Sequence, residues 1–209
     1  MSSSSREGRR HACFSTSQLN VIELSSFYSI QDTAFLYNNE ALIGKVLKDY
    51  IASGKAKRED IFITTKLPFT AHDPKDVEDC VNLQLKALQV DYIDLYLMHC
   101  PMPLKVTFSM SLKNRGWLVL DQKNRLSLKG KADDSFAPAL ENGMQIPAIG
   151  LSNFNTTQLQ NVYDHARIKP ANLQVECHVY WPQTELYELC KKLNISFTAY
   201  APLGSRGRN

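Results

Sequence analysis

The sequence predicts an α/β fold on one parallel sheet, an incomplete parallel (β/α)8 TIM barrel with about six or seven of eight strands. Three observations carry this expectation. From Phe27 onward short apolar runs alternate with helical patterns, at steps of about 25 to 35 residues, the rhythm of repeated strand–helix units. The run Tyr92–Met98 is nearly continuous in apolarity, as a strand covered on both faces must be. Polar residues with useful chemistry, Asp32, Tyr37, Lys66 and His99, each stand where such a run ends.

Ser29-Ile30-Gln31 leads into Asp32 as the first clear strand. A helix follows from near Asn39 to Ser53, with Leu42, Ile43, Val46, Leu47, Tyr50 and Ile51 as its stripe and Gly54 closing it. Ile61–Thr65 is β-rich and ends at Lys66. Asp73 is a credible N-cap with Pro74 at the first helical position, and Val77, Cys80, Val81, Leu85 and Leu88 mark the buried face. Tyr92–Met98 is the next strand, ending at His99.

After an irregular stretch, Ile146–Leu151 is a strand closed by Ser152-Asn153-Phe154, and Thr156–Ala166 is amphipathic through Leu159, Val162, Tyr163 and Ala166. Asn172–Glu176, a helix over Gln183–Lys192, and Ile195–Tyr200 complete the pattern. Leu19–Leu24 is a candidate for one more strand. A barrel left open at this length exposes strand edges that something must cover.

Composition narrows the class. One core suffices for 209 residues, and a net charge of +3 is too small to argue for nucleic acid. No apolar stretch approaches the ~20 residues a membrane crossing needs. Cys13, Cys80, Cys100, Cys177 and Cys190 are scattered and lack C-x-x-C pairing, which reads as reduced thiols in a cytoplasmic protein and not as a zinc or other metal site. Residues 1–26, opening Met1-Ser2-Ser3-Ser4-Ser5 with Arg6, Arg9 and Arg10, read as a poorly ordered leader before a single domain over 27–209. Between Lys105 and Lys131 stand seven Lys or Arg against Asp121 alone, either an anion-binding lid or a solvated basic loop.

Asp32, Tyr37, Lys66 and His99 form a proton-delivery set if a barrel gathers its strand ends on one rim. A phenol of pKa about 10 is a weak acid at neutral pH. A nearby ammonium stabilises its phenolate, a carboxylate holds the ammonium, and an imidazole orients a carbonyl. The set suits hydride addition to a carbonyl beside a nicotinamide cofactor. Each residue also has a plain reading: Asp32 and Lys66 as a rim salt bridge, Tyr37 as packing, His99 as a structural histidine.

Several motifs in order resemble the aldo-keto reductase family, aldose- and aldehyde-reductase-like. They are Asp32-Thr33-Ala34 with Tyr37 and Asn39-Glu40, then Thr64-Thr65-Lys66-Leu67, then Asp91-Tyr92-Ile93-Asp94-Leu95-Tyr96-Leu97-Met98-His99. Ile149-Gly150-Leu151-Ser152-Asn153-Phe154, Gln174-Val175-Glu176-Cys177-His178 and Ala199-Tyr200-Ala201-Pro202-Leu203-Gly204-Ser205 follow. The resemblance implies NADPH-dependent reduction of small aldehydes or ketones by a monomer. Tyr37 then matches the proton donor, Lys66 and Asp32 the pair that tunes it, and His99 the residue that orients the carbonyl. Ser152, Asn153 and Gln174 match positions that bind the nicotinamide carboxamide, Tyr200 the ring that stacks on it, and Leu203 and Ser205 the pyrophosphate loop.

The chain departs from the family pattern in places. Ser25-Ser26-Phe27-Tyr28-Ser29-Ile30 replaces the usual Gly-Tyr-Arg run, Cys100 stands where Trp is frequent, and Pro68 where an aromatic is common. The family's anchor for the adenosine 2′-phosphate lies beyond Ser205, so NADPH is expected to bind weakly here. The alternative expectation is an inactive truncated or spliced fragment serving as a binding or interaction module.

Overall fold

The computed structural model describes residues 12–13, 29–102 and 146–204. Its described strands are β1 (Ala12–Cys13), β2 (Ile30–Asp32), β3 (Phe62–Leu67), β4 (Leu95–Met98), β5 (Ile149–Ser152), β6 (Asn172–Glu176) and β7 (Ser196–Tyr200). They form a seven-stranded sheet in chain order, and every pairing is parallel. The helices are α1 (Glu40–Ala52), α2 (Pro74–Leu88), α3 (Thr156–His165) and α4 (Thr184–Lys192). This is the parallel (β/α)8 barrel architecture, with the sheet left open among the described residues. Gln174 on β6 touches Asp32 on β2, whereas strands four places apart in a flat sheet lie about 19 Å apart. The sheet therefore curls into a barrel wall.

Chain chemistry explains the element limits, and several differ from the sequence reading. The run before β4 begins at Tyr92, but pairing starts only at Leu95 because Asp94 is occupied elsewhere. Its carboxylate accepts from the Ile63 backbone N–H at 2.8 Å and from Arg58 at 2.7 Å, and Arg58 stacks 3.7 Å over the Tyr92 ring. β5 starts at Ile149 and not Ile146, since the intervening Pro147 has no N–H for a ladder. Ile195 is held by α4, its N–H donating to the Cys190 carbonyl at 2.8 Å, so β7 begins one residue later. Gln183 has φ 54°, left-handed backbone that precedes α4 and does not belong to it.

Pro74 does open α2, and Val77, Cys80, Val81 and Leu88 are fully buried. On α1 the buried face is Glu40, Ile43, Gly44 and Leu47, while Leu42 is 46% exposed. Gly44 explains the rotation of that face. A Cβ there would lie 2.3 Å from the Ala87 carbonyl oxygen, so α1 and α2 meet backbone to backbone. α3 carries a reciprocal cap, Asn155 accepting from the Gln158 N–H and Gln158 from the Asn155 N–H.

The core lies between the sheet and the helices, built from Leu47, Ile63, Leu67, Val77, Val81, Leu88, Met98, Leu151, Leu159 and Leu173 among others. β1 sits within the stretch read as leader and pairs Cys13 with Asp32. Leu19–Leu24, Ser205 and the basic stretch Lys105–Lys131 lie outside the described residues. Among the described residues no helix is long and apolar enough to cross a membrane.

Candidate active site

Strand alternation aims neighbouring residues of β3 opposite ways. Thr65 points to the helices, where its hydroxyl donates to Glu40 at 2.7 Å, and Lys66 points to the inner face. There the Lys66 ammonium meets Asp32 Oδ1 and donates to the Thr33 carbonyl at 2.8 Å. Its side chain is 1% exposed and that of Asp32 13%. The other carboxylate oxygen, Asp32 Oδ2, accepts from Gln174 Nε2 at 2.5 Å. The two buried charges thereby neutralise each other, and each has a further hydrogen-bond partner, Thr33 for the ammonium and Gln174 for the carboxylate, as a desolvated ion pair requires.

Tyr37 ends a 3-10 turn, Phe35–Tyr37, that stops at Asn38 in left-handed backbone with φ 52°. Its ring comes to 5.2 Å from Lys66 Nζ, centroid to nitrogen. The Tyr37 ring also meets His99 edge-on, at 5.7 Å and 83°. His99 follows β4, and its N–H donates to the Leu67 carbonyl at 3.2 Å. Burial, followed by the Lys66 charge and partly opposed by Asp32, lowers its pKa to about 4. At neutral pH the imidazole is uncharged and carries one donor and one acceptor nitrogen. Its buried Nδ1 has no hydrogen-bond partner among the described residues.

A second group lies at the ends of β5, β6 and β7. Asn153 has left-handed backbone, with φ 64°. Its Nδ2 donates to the His99 carbonyl at 2.9 Å and to Ser152 Oγ at 3.2 Å, and its Oδ1 accepts from the Tyr200 hydroxyl at 2.8 Å. Ser152 and Gln174 are register partners on adjacent strands. Burial, and then the Glu176 charge, raises the Tyr200 pKa. One hydroxyl, two amides and a flat ring on adjoining strand ends fit a planar heterocycle that carries an amide. No cluster of three metal-ligating side chains occurs among the described residues.

The structure thus brings Asp32, Tyr37, Lys66, His99 and Gln174 together, and joins Ser152, Asn153 and Tyr200 to them through His99. Leu203 is apart from this group in character, a loop residue 96% exposed. Two features were missed in the sequence. One is the Thr33 carbonyl as a partner of Lys66. The other is a buried polar cluster behind the site: Gln84 donates to Glu40 at 2.7 Å and Thr65 at 2.9 Å, and accepts from the Tyr96 hydroxyl at 2.6 Å. Its signal was present, because Glu40 stands three residues before Ile43 and seven before Leu47, in line with the buried stripe.

Comparison with known proteins agrees with this geometry. The Aldo/keto reductase family model matches residues 22–208. Aldo-keto reductase family 4 member C11 of Arabidopsis thaliana is 42% identical over 180 residues, 86% of this chain and 54% of that protein. The aldose reductase structure from Schistosoma japonicum superposes with a TM-score of 0.73 at 40% identity, covering 88% of this chain and 59% of that one. An aldo-keto reductase complexed with NADPH gives a TM-score of 0.72 at 30% identity, covering 87% and 50%. The chain spans about half the length of the curated relatives it matches. With the family's signature stretches on the strand ends of a curled parallel sheet, this chain belongs to the aldo/keto reductase family.

Proposed function

We propose that the protein reduces small aldehydes or ketones to alcohols with NADPH, Tyr37 delivering the proton. The observation that carries this reading is the Lys66 ammonium, clamped between Asp32 and the Thr33 carbonyl and set beside the Tyr37 ring. An exposed lysine would be an ordinary surface charge. A lysine 1% exposed, with a phenol ring at 5.2 Å, biases that phenol toward giving up its proton.

When bound, the reduced nicotinamide supplies the hydride. The protein's own groups do the rest. Ser152, Asn153 and Gln174 bind the carboxamide, and Tyr200 offers its ring face so that one side of the heterocycle stays free. His99, neutral because of its burial, donates a hydrogen bond to the carbonyl oxygen without competing for the proton. Tyr37 then protonates the developing alkoxide, and Lys66 stabilises the phenolate that remains, with Asp32 holding the ammonium. Leu203 and Ser205 belong to the loop that would face the pyrophosphate.

Cys80, Cys100, Cys177 and Cys190 are free thiols, which fits action in the cytoplasm, and the reading takes the chain as a monomer. The test is a fluorescence titration of the purified chain with NADPH and NADH, followed by NADPH oxidation with a simple aromatic aldehyde. Turnover that needs Tyr37 supports the assignment. Well-folded protein that neither binds nor consumes NADPH sinks it.

A further inference from the structure

Gln174 makes a contact that carboxamide binding does not require. Its amide nitrogen donates to Asp32 Oδ2 at 2.5 Å, from β6 across the curled sheet to β2. We propose that Gln174 is a positioning residue for the Asp32–Lys66 pair, holding one carboxylate oxygen so that the other alone faces the ammonium. This inference rests on the reading of that pair as the group that tunes Tyr37.

An ionised carboxylate has two acceptor oxygens and no proton to give, so it is the nitrogen end of Gln174 that must face Asp32. Oδ1 is taken by Lys66. The terminal torsion of an aspartate is broad, and a carboxylate held at one oxygen can turn and exchange the two. With the Asp32 side chain only 13% exposed, water is a poor substitute for a fixed donor at Oδ2. Gln174 is itself 5% exposed, and its backbone carbonyl accepts from the Asn153 N–H at 3.0 Å, which ties its strand to the β5 end. The donor is thus rigid at its own base.

A turning carboxylate would drag the ammonium with it. Lys66 has two acceptors in the site, Asp32 and the Thr33 carbonyl, and the angle between them sets its approach to Tyr37. Gln174 therefore acts on the proton donor through two intermediaries, and links the carboxamide seat to the tuning pair.

Gln174→Met keeps the length and removes the donor, while Gln174→Leu removes it with a branched apolar side chain. In 15N-labelled full chain, the buried Lys66 ammonium is expected to give a slowly exchanging proton signal, assigned by its loss in Lys66→Met. We expect both Gln174 variants, with cooperative melts retained, to lose that signal. At saturating NADPH their kcat should fall about tenfold, beyond any change in KM for the cofactor. An unchanged ammonium signal, or a loss confined to the NADPH KM, overturns the inference. If neither variant folds, the unmutated chain decides. One Gln174 amide proton displaced downfield of the other glutamine amides supports the contact, and its absence overturns it. Should the unmutated chain show no turnover, the reductase reading fails, while the ammonium and amide signals still judge this one.

Discussion

The ring of Tyr37 meets the ring of His99 edge-on, with centroids 5.7 Å apart and planes at 83°. The pairing places an uncharged imidazole and a phenol side by side, with the Lys66 charge 5.2 Å from the phenol's centroid. In the proposed mechanism Lys66 tunes Tyr37 as the proton donor, whereas His99 is kept neutral first by burial and then by the Lys66 charge. The two roles are therefore separable by mutation.

Tyr37→Phe removes the hydroxyl and leaves the ring packing. NADPH-dependent reduction of an aromatic aldehyde should drop by about 10²-fold or more, with little change in the NADPH titration. Equal loss of binding and turnover would assign Tyr37 to the cofactor seat instead.

Stability should fall on mild acidification. His99 and His72 have folded pKa values lowered to about 4 by burial, against an ordinary value of 6.5. Each stays neutral in the fold but takes up a proton when unfolded below pH 6.5. Their contribution is complete above that pH and is lost as pH falls from 6.5 toward 4. The slope is at most about 1.4 kcal/mol per pH unit for each histidine, reduced for His99 by its partial exposure. Melting temperatures across that window check it, and His99→Asn should flatten the curve.

Two glycines separate space from backbone. Gly44→Ala forces a methyl to 2.3 Å from the Ala87 carbonyl oxygen, with no flexible side chain to yield. It should cost about 2 to 3 kcal/mol in urea unfolding as α1 and α2 move apart. Gly54 has φ 72° and nothing within 4 Å of an added Cβ. Gly54→Ala should therefore cost only the left-handed backbone, about 1 kcal/mol. Equal losses would refute the close helix contact.

Gln84→Leu tests the cluster behind the site. The leucine fits the volume but withdraws donors from Glu40 and Thr65 and the acceptor from Tyr96. Loss of about 3 kcal/mol is expected in the same unfolding experiment. A neutral result would mean that these groups find other partners.

The strand order was legible because burial on both faces writes itself into apolar runs such as Leu95–Met98, and Pro74 announces the start of α2. Boundaries were less so. Tyr92-Ile93-Asp94 reads as strand by apolarity, yet Asp94 spends its carboxylate on Ile63 and Arg58. Leu42 fits a helical stripe but faces outward, because Gly44 lets α1 settle on α2 along a different line. Of the candidate site, Asp32, Lys66, Tyr37 and His99 were readable from their places at the ends of runs. The reach of Gln174 to Asp32 was not, since residues 142 positions apart share no local pattern.

Local chemistry along the chain determined the parallel sheet, its helices and the identity of the polar groups at the strand ends. Periodicity and turn residues act over a few positions, and these features need no more than that. Tertiary structure alone decided which of those groups touch. Sheet curvature sets the distance from β2 to β6, and burial sets the charge state of His99. Both are sums over many residues, so no single stretch of sequence carries them.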